Sequence, residues 1–161
     1  MGRSRGGLTT KIHARVDAKG RPVRLLISPG NDHDVTHAEA LLDGLQKRAV
    51  VIADKGYDAD RVRICIRDQH AIPNIPNRSN RKKKYRWKKA IYRQRNHVER
   101  FFNKLKQFRR IATRYEKLGA TFLAFVQLAA VRISMRSQLS PRPSSFLHHA
   151  VAHTSGLRGR L

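Results

Sequence analysis

Apolar and polar residues alternate near the start of the chain in a way that predicts a β-hairpin over residues 10–30. Ile12, Ala14 and Val16 alternate with polar residues, which is the two-residue period of a strand with one buried face. The following DAKGRP segment has the residues of a tight turn, and Gly20 can adopt a positive φ there. The run VRLLIS predicts the returning strand, which a Pro-Gly pair ends.

The next stretch predicts a helix followed by a buried strand. The TxxE pattern at Thr36–Glu39 is typical of a capping box, and the leucines after it have helical spacing as far as about Leu45. The run AVVIAD at 49–54 is apolar without a break, as expected of a strand buried on both faces. This run ends in Asp54, so we expect a carboxylate at the carboxyl end of the strand, on the rim of the sheet.

Further along, we expect a short helix at about residues 59–69, with Asp58 or Asp60 as its N-cap. The segment AIPNIP at 71–76 predicts an edge strand, because proline cannot donate a hydrogen bond to a ladder.

The second half of the chain predicts a basic loop and two helices. The loop, NRSNRKKKYRWKK at 77–89, contains no acid, and Tyr85 and Trp87 are set among its cations. Helices are expected at about 90–112 and 117–133. The order β-β-α-β-α-β-α-α favours an α/β protein with a mixed sheet and flanking helices.

Length and composition fit one folded domain at residues 1–134, followed by an atypical tail. Residues 135–161 show neither helical nor strand period, so we expect a disordered extension or sequence foreign to the domain. The single cysteine, Cys65, excludes an internal disulfide and a cysteine metal cluster. The apolar run at 122–131 is shorter than the ~20 residues that span a bilayer, so a soluble protein of a reducing compartment is expected.

The charge balance points to a polyanionic partner. The 161 residues include 35 Lys and Arg against 11 Asp and Glu, a formal charge of +24. Nucleic acid is the expected partner, because Lys and Arg that neutralise phosphates release condensed counterions. Charge alone does not separate an enzyme acting on nucleic acid from a non-enzymatic nucleic-acid-binding protein, for example one of ribosomal type.

Glu99 is the only acid between Asp68 and Glu116. On an ideal helix it shares an arc of roughly 80° with Tyr92, Arg95 and Lys106, and this arc borders the apolar face. One interpretation is an ordinary Arg95–Glu99 surface pair worth ~0.3–0.5 kcal/mol. The other is a functional carboxylate, and the residues alone leave these two interpretations balanced.

A metal-dependent reaction on phosphodiesters would explain the functional interpretation. Mg²⁺ prefers carboxylates, water and substrate oxygens, and a strand end (Asp54) and a facing helix (Glu99) are suitable rigid mounts. The surrounding cations would hold the phosphate backbone. A separate metal site at His33 and His37 in HDVTH is a weaker alternative, since only one of these histidines would lie on a regular helix.

The segments ADKGYDAD (53–60) and YRQRNHVERFFNKLKQFRR (92–110) resemble DDE transposases of bacterial insertion sequences, in the insertion-sequence-five family. The helix meets every spacing of the pattern Tyr-x2-Arg-x3-Glu-x6-Lys, and the resemblance covers about residues 2–134. The resemblance implies an RNase H-like catalytic domain that cuts and joins DNA with Mg²⁺, or alternatively Mn²⁺. It makes Asp54 and Glu99 catalytic residues and metal ligands.

The resemblance also implies DNA contacts at Tyr92, Arg95 and Lys106. The composition of the basic loop adds Lys82, Lys83, Lys84 and Arg86 as expected DNA-binding residues, and Trp87 as a residue that either stacks on unpaired bases or packs on the domain. The expected partners are DNA, at the element ends and at the target, and another copy of this chain or a full-length transposase. We expect a cytoplasmic protein at the nucleoid with no membrane contact.

The first Asp of the family pattern has no counterpart in the sequence. It lies on a first strand that would precede the GRSRGG segment, and this chain begins at Met1. Asp17, Asp32 and Asp34 are better explained as turn, loop and cap residues than as substitutes. We therefore expect a truncated transposase that lacks the first strand and is inactive alone.

Overall fold

A computed structural model describes residues 2–4, 7–113, 118–138 and 149–158. Within them the strands are β1 (Gly2–Ser4), β2 (Gly7–Val16), β3 (Pro22–Pro29), β4 (Val50–Ala53), β5 (Ile72–Asn74) and β6 (His149–Arg158). The α-helices are α1 (Ala38–Leu42), α2 (Asp60–Asp68), α3 (Lys89–Tyr92), α4 (Asn96–Lys106), α5 (Arg109–Thr113) and α6 (Gly119–Gln138). Among these helices, none has both the length and the apolar character needed to cross a bilayer.

The strands form one mixed sheet, which confirms the expected α/β class. β2 runs antiparallel to β1 and β3 and, across its other edge, to β6. β6 is also parallel to β4, and β4 is parallel to β5. β5 therefore lies at an edge, as its prolines predicted.

The predicted hairpin is confirmed as β2 and β3. Its turn contains Gly20 at a φ of 77°, and Asp17 Oδ1 accepts hydrogen bonds from the backbone N–H groups of Lys19 and Arg21, both at 2.9 Å. Asp17 is thus a turn residue, as expected.

Two hydrophobic cores lie on opposite faces of the sheet, and β4 contributes to both. Val50 and Ile52 pack with β2 residues against α4, α5 and α6. Val51 and Ala53 pack against α1 and α2 on the other face. Since successive strand residues point to opposite faces, the unbroken apolar run of β4 follows from burial on both sides.

The single helix expected at 90–112 is wrong in its continuity. The chain forms α3, then a 3₁₀ turn at Arg93–Arg95, then α4 and the separate α5. Ile91, Tyr92 and Phe108 nevertheless pack against the same core as α4. On an ideal straight helix Ile91 and Phe108 would also lie on the face of the buried α4 residues, so the hydrophobic spacing does not reveal the breaks.

The predicted caps are also wrong. Thr36 lies within a 3₁₀ turn at Asp34–His37, and α1 follows with His37 as an N-cap that makes no side-chain hydrogen bond. The N-cap of α2 is Ala59, because the carboxylate of Asp58 is engaged by Arg63 instead. The spacing of residues along the chain does not show that Asp58, a possible cap, pairs with Arg63 instead.

The expected disorder of residues 135–161 is wrong for residues 135–138, which end α6, and for residues 149–158, which form β6. The rest of this tail, 139–148 and 159–161, lies outside the described residues. β6 pairs with β2 from Thr9 to Val16 and with β4 from Val50 to Ala53. In the described sheet β6 alone joins the β1–β2–β3 part to the β4–β5 part. The sequence of β6, HAVAHTSGLR, has no clear strand period. Backbone hydrogen bonds on both of its edges hold it in the sheet, and these bonds leave no pattern in the side chains.

Candidate functional site

Asp54 lies directly after β4, at the carboxyl end of the strand. It caps the 3₁₀ turn Lys55–Tyr57, and its Oδ1 accepts a hydrogen bond from the Gly56 backbone N–H at 2.8 Å. Both core faces pack on β4, so the half-buried Asp54 carboxylate is mounted on one of the most rigid parts of the sheet.

Asp34 lies beside Asp54, which the sequence did not indicate. A Cβ added to Gly56 would stand 2.9 Å from Asp54 Oδ1 and 3.1 Å from Asp34 Oδ2, so the two carboxylates flank this glycine. The other oxygen of Asp34, Oδ1, accepts from Lys11 Nζ at 3.0 Å. The two carboxylates come together because two distant 3₁₀ turns pack on each other, and no local pattern reports such packing.

Glu99 lies in the first turn of α4, and its side chain is 44 % exposed. Arg95 Nη2 donates to Glu99 Oε1 at 2.5 Å, and the Arg95 guanidinium lies 5.5 Å from the centroid of the Tyr92 ring. The row Tyr92–Arg95–Glu99, predicted from helical spacing, is therefore present. Lys106 is exposed at the end of α4, and the described contacts do not join it to this row.

Tyr92 connects the row to Asp54. Burial raises the pKa of the Tyr92 phenol; Arg95 acts against this, and the carboxylates of Asp54 and Glu99 raise the pKa further. The segment that carries Tyr92 and Arg95 also packs against β4, the strand that Asp54 follows. We call Asp54, Tyr92, Arg95 and Glu99 together the carboxylate site.

The donor set of the carboxylate site fits Mg²⁺ or Mn²⁺. Mg²⁺ is commonly held by one or two protein carboxylates, with water and substrate phosphates completing its coordination. Among the described residues, no group of three or more His, Cys, Asp or Glu side chains forms a closed metal site. The role of Asp54 and Glu99 as metal ligands therefore stays a prediction.

The basic loop, residues 77–88, is anchored by two asparagines. Asn77 accepts from the Tyr85 N–H at 2.9 Å and donates to the Tyr85 carbonyl at 2.8 Å. Asn74 makes the same pair of bonds to Lys88, at 2.7 and 3.2 Å. Each amide replaces a strand partner for the loop backbone. The loop therefore presents its exposed cations from a fixed backbone: Lys82, Lys83, Lys84 and Arg86.

The two aromatic residues of the loop make internal contacts. The Tyr85 hydroxyl donates to Asp60 at 2.9 Å, and the guanidiniums of Arg63 and Arg81 lie 4.5 and 4.8 Å from the Tyr85 ring centroid. Trp87 packs edge-on against Tyr92, with ring centroids 5.5 Å apart. Trp87 therefore connects the basic loop to the carboxylate site, and its contact with DNA stays a prediction.

Two histidines, His13 and His37, belong to a polar cluster around the buried ring of His13. The ring of His13, which is fully buried, is hydrogen-bonded through Nε2 to Ser28 Oγ at 2.8 Å and lies 5.0 Å from the His37 ring. His37 Nε2 lies 3.1 Å from Asp32 Oδ2. His33 is exposed, and the described residues contain no metal-binding group there.

This cluster predicts a loss of stability in acid. Burial, with a contribution from His37, lowers the pKa of His13 from 6.5 to about 4. Between these values the unfolded chain takes up a proton that the folded chain refuses, so stability falls as pH falls through this window. We expect His13 to contribute a loss of about 2–3 kcal/mol between pH 7 and pH 4.5.

Urea unfolding at both pH values measures this loss. The variant His13→Gln lacks the titrating ring, so its stability should fall less over the same range by that amount. An equal fall in both proteins would show that the titration of His13 does not control acid stability.

Comparison with known proteins shows the family of the chain. A family described as "Transposase DDE domain" matches residues 2–133. The chain is 42 % identical over 130 residues to a putative transposase for insertion sequence element IS6501 of Brucella ovis, covering 80 % of this chain and all of that protein. It is 33 % identical over 139 residues to a putative transposase for element IS402 of Burkholderia cepacia, covering 77 % of this chain and 62 % of that protein. No solved structure matches the chain significantly.

Proposed function

Because the chain belongs to the DDE-domain transposases of insertion sequences, we propose that it binds DNA and takes part in metal-dependent cleavage and strand transfer. The substrate is DNA at the ends of the element and at its target. The domain at residues 1–134 contributes the carboxylate site, and β6 completes its sheet. The mixed sheet, with cores on both faces, supports an RNase H-like fold for this domain.

The observation that carries this proposal is that the segment with Tyr92 and Arg95 packs against β4, whose carboxyl end carries Asp54, while Arg95 pairs with Glu99. In a chain with a formal charge of +24, the carboxylates of Asp54 and Glu99 would hold a divalent cation at the DNA. The metal, Mg²⁺ or Mn²⁺, supplies positive charge against the negative charge that develops on the scissile phosphate.

The neighbouring side chains position these carboxylates and the DNA. Arg95 holds Glu99 in one rotamer and packs on Tyr92, so the Glu99 carboxylate is ordered before any ligand arrives. A guanidinium can bind a carboxylate and a phosphate together, so Arg95 can retain Glu99 while it contacts the backbone of DNA. Lys106 extends the same positive surface along α4.

The basic loop provides the phosphate contacts next to this site. Its anchors, Asn74 and Asn77, fix the backbone in advance, so binding orders only the long side chains. Trp87, which packs on Tyr92, places the loop beside the carboxylate site.

Removing the loop charges should weaken DNA binding and its salt dependence together. We expect the quadruple variant of Lys82, Lys83, Lys84 and Arg86 to glutamine to bind duplex DNA at least about tenfold more weakly near 100 mM salt. The slope of log K against log salt should become shallower by about 0.9 for each DNA phosphate that the variant no longer neutralises. Fluorescence anisotropy over a salt series measures both quantities.

A matched pair of single variants provides the control. Lys83→Gln and Lys47→Gln remove the same charge from exposed sites, and Lys47 precedes β4, at the end of the strand opposite Asp54. Only Lys83→Gln should reduce the slope. Equal slopes in the wild type and the quadruple variant would reject the loop as the DNA surface.

A further inference from the structure

A second basic surface lies between α5 and α6, outside both the loop and the carboxylate site. It is a cleft of about 330 Å³. Its apolar lining consists of Phe108, Ile111, Phe125, Leu128 and Ala129, and its polar lining of Arg109, Arg110 and Arg132. Two half-buried rings and three cations thus surround one small concave space.

The cations of the cleft lie over its rings. The Arg110 guanidinium is 5.4 Å from the Phe125 ring centroid, and the Arg132 guanidinium is 6.0 Å from the Phe108 ring centroid. Leu128 is 66 % exposed beside them, so this floor is open to solvent. An apolar floor with a cationic rim suits a ligand that has a flat apolar part and an anionic part.

The charged side chains among the described residues that line the cleft are all cationic. Glu116 is the only Asp or Glu after Glu99 in the sequence, and it falls outside the described residues. A ligand without negative charge would leave this positive field uncompensated.

The size of the cleft limits the ligand further. Its volume is near the lower end of the ~300–1,000 Å³ typical of small-ligand sites. It therefore has room for one nucleotide rather than for a helix of a protein partner. The base faces of paired DNA are covered by stacking, so only an unstacked base could reach the two rings.

We propose that the cleft between α5 and α6 binds one unstacked nucleotide of the DNA, with its base against Phe108 and Phe125 and its phosphates on the three arginines. This proposal rests on the proposed function, since it takes the ligand to be part of the transposase's DNA. It assigns to α5 and α6 a selectivity for distorted or single-stranded DNA, which the phosphate contacts of the loop cations do not provide. Stacking of a base on an aromatic side chain changes affinity by about five- to a hundredfold.

The test compares two DNA duplexes of equal charge. One is fully paired, and the other carries a single unpaired 2-aminopurine, whose fluorescence reports its stacking. We expect the wild-type chain to bind the second duplex at least about fivefold more tightly and to change its fluorescence. The measured quantity is the ratio of the two affinities.

Substitutions at Phe125 distinguish the effect of its aromatic ring on the affinity ratio from the effect of its apolar bulk. Phe125→Leu keeps an apolar side chain and removes the ring, so the affinity ratio should fall close to one while binding to the paired duplex is unchanged. Phe125→Tyr keeps the ring and should keep the ratio. The exposed Arg110→Gln, which leaves the apolar core intact, should weaken binding to the unpaired duplex more than to the paired one.

A ratio of one in the wild type, or the same ratio in Phe125→Leu, would overturn the proposal. Self-association that Phe125→Leu abolishes, without an effect on the ratio, would assign the cleft to a protein partner instead. If only the cleft proposal is wrong, DNA binding still depends on the cations of the basic loop. If the proposed function is wrong, either DNA binding does not depend on these cations or metal binding does not depend on Asp54 and Glu99. The two outcomes are therefore distinguishable.

Discussion

Replacing Arg63 by methionine is expected to destabilise the domain by about 3–5 kcal/mol, although Arg63 lies outside the carboxylate site. The side chains of Arg63 and Asp58 are only 1 % and 0 % exposed. Arg63 Nε and Nη2 donate to Asp58 Oδ1 at 3.0 and 2.8 Å, and Nη2 also donates to the Ile75 carbonyl at 2.8 Å. Removal of the guanidinium leaves a buried carboxylate without its main partner.

The same substitution should loosen the basic loop. Asp58 Oδ2 accepts from the Arg78 backbone N–H at 2.7 Å, and Arg81 lies 3.4 Å from Oδ1. The Tyr85 ring stacks under the Arg63 guanidinium. The buried pair is therefore the base on which the loop folds, and we expect faster tryptic cleavage within the loop of the Arg63→Met protein.

Urea unfolding of matched variants measures the effect. Arg61→Met changes an exposed arginine on the same helix and should cost no more than about 0.5 kcal/mol. The double variant Asp58→Asn with Arg63→Met should cost less than the sum of its single variants, because no unpaired charge remains. If Arg63→Met is as stable as Arg61→Met, the buried pair does not support this face of the domain.

The parts of the fold that sequence reasoning predicted are those fixed by neighbours along the chain. The β2–β3 hairpin follows from alternation and a turn at Gly20, and β4 follows from an unbroken apolar run. The same run predicts Asp54 at the carboxyl end of β4, because Asp54 is its last residue. The row Tyr92–Arg95–Glu99 survives the break before α4, because residues three and four apart stay neighbours in 3₁₀ and α turns alike.

The parts that sequence reasoning missed depend on contacts between distant segments. β6 is held by its ladders to β2 and β4 rather than by side-chain period. Asp34 reaches Asp54 through the packing of two 3₁₀ turns, and Asn74 and Asn77 act through single amides. The division of the long predicted helix leaves no mark in the hydrophobic spacing, because Ile91 and Phe108 lie on the buried face of a straight helix as well.

Metal binding that depends on Asp54 and Glu99 is the second large effect. The variant Asp54→Asn with Glu99→Gln keeps the size of both side chains and one acceptor oxygen on each, and it removes both charges. We expect the wild-type chain to bind Mn²⁺ weakly and more tightly with duplex DNA present, since phosphates complete the coordination. The variant should show no measurable Mn²⁺ binding in either condition.

A control variant distinguishes Mn²⁺ binding at a specific site from attraction of Mn²⁺ to the overall charge of the protein. Glu39→Gln with Asp43→Asn removes two carboxylates from exposed positions on and after α1. This variant has the same formal charge as the Asp54 and Glu99 variant, and it should bind Mn²⁺ like the wild type.

A Mn²⁺ titration of these three proteins with and without DNA, followed by electron paramagnetic resonance, decides whether Asp54 and Glu99 form a metal site. We predict binding by the wild type and the control variant, strengthened by DNA, and its loss in the variant of Asp54 and Glu99. No Mn²⁺ binding in any protein, with DNA affinity kept or increased in the Asp54 and Glu99 variant, would contradict the proposed function. That result would identify the chain as a basic nucleic-acid-binding protein without a metal site.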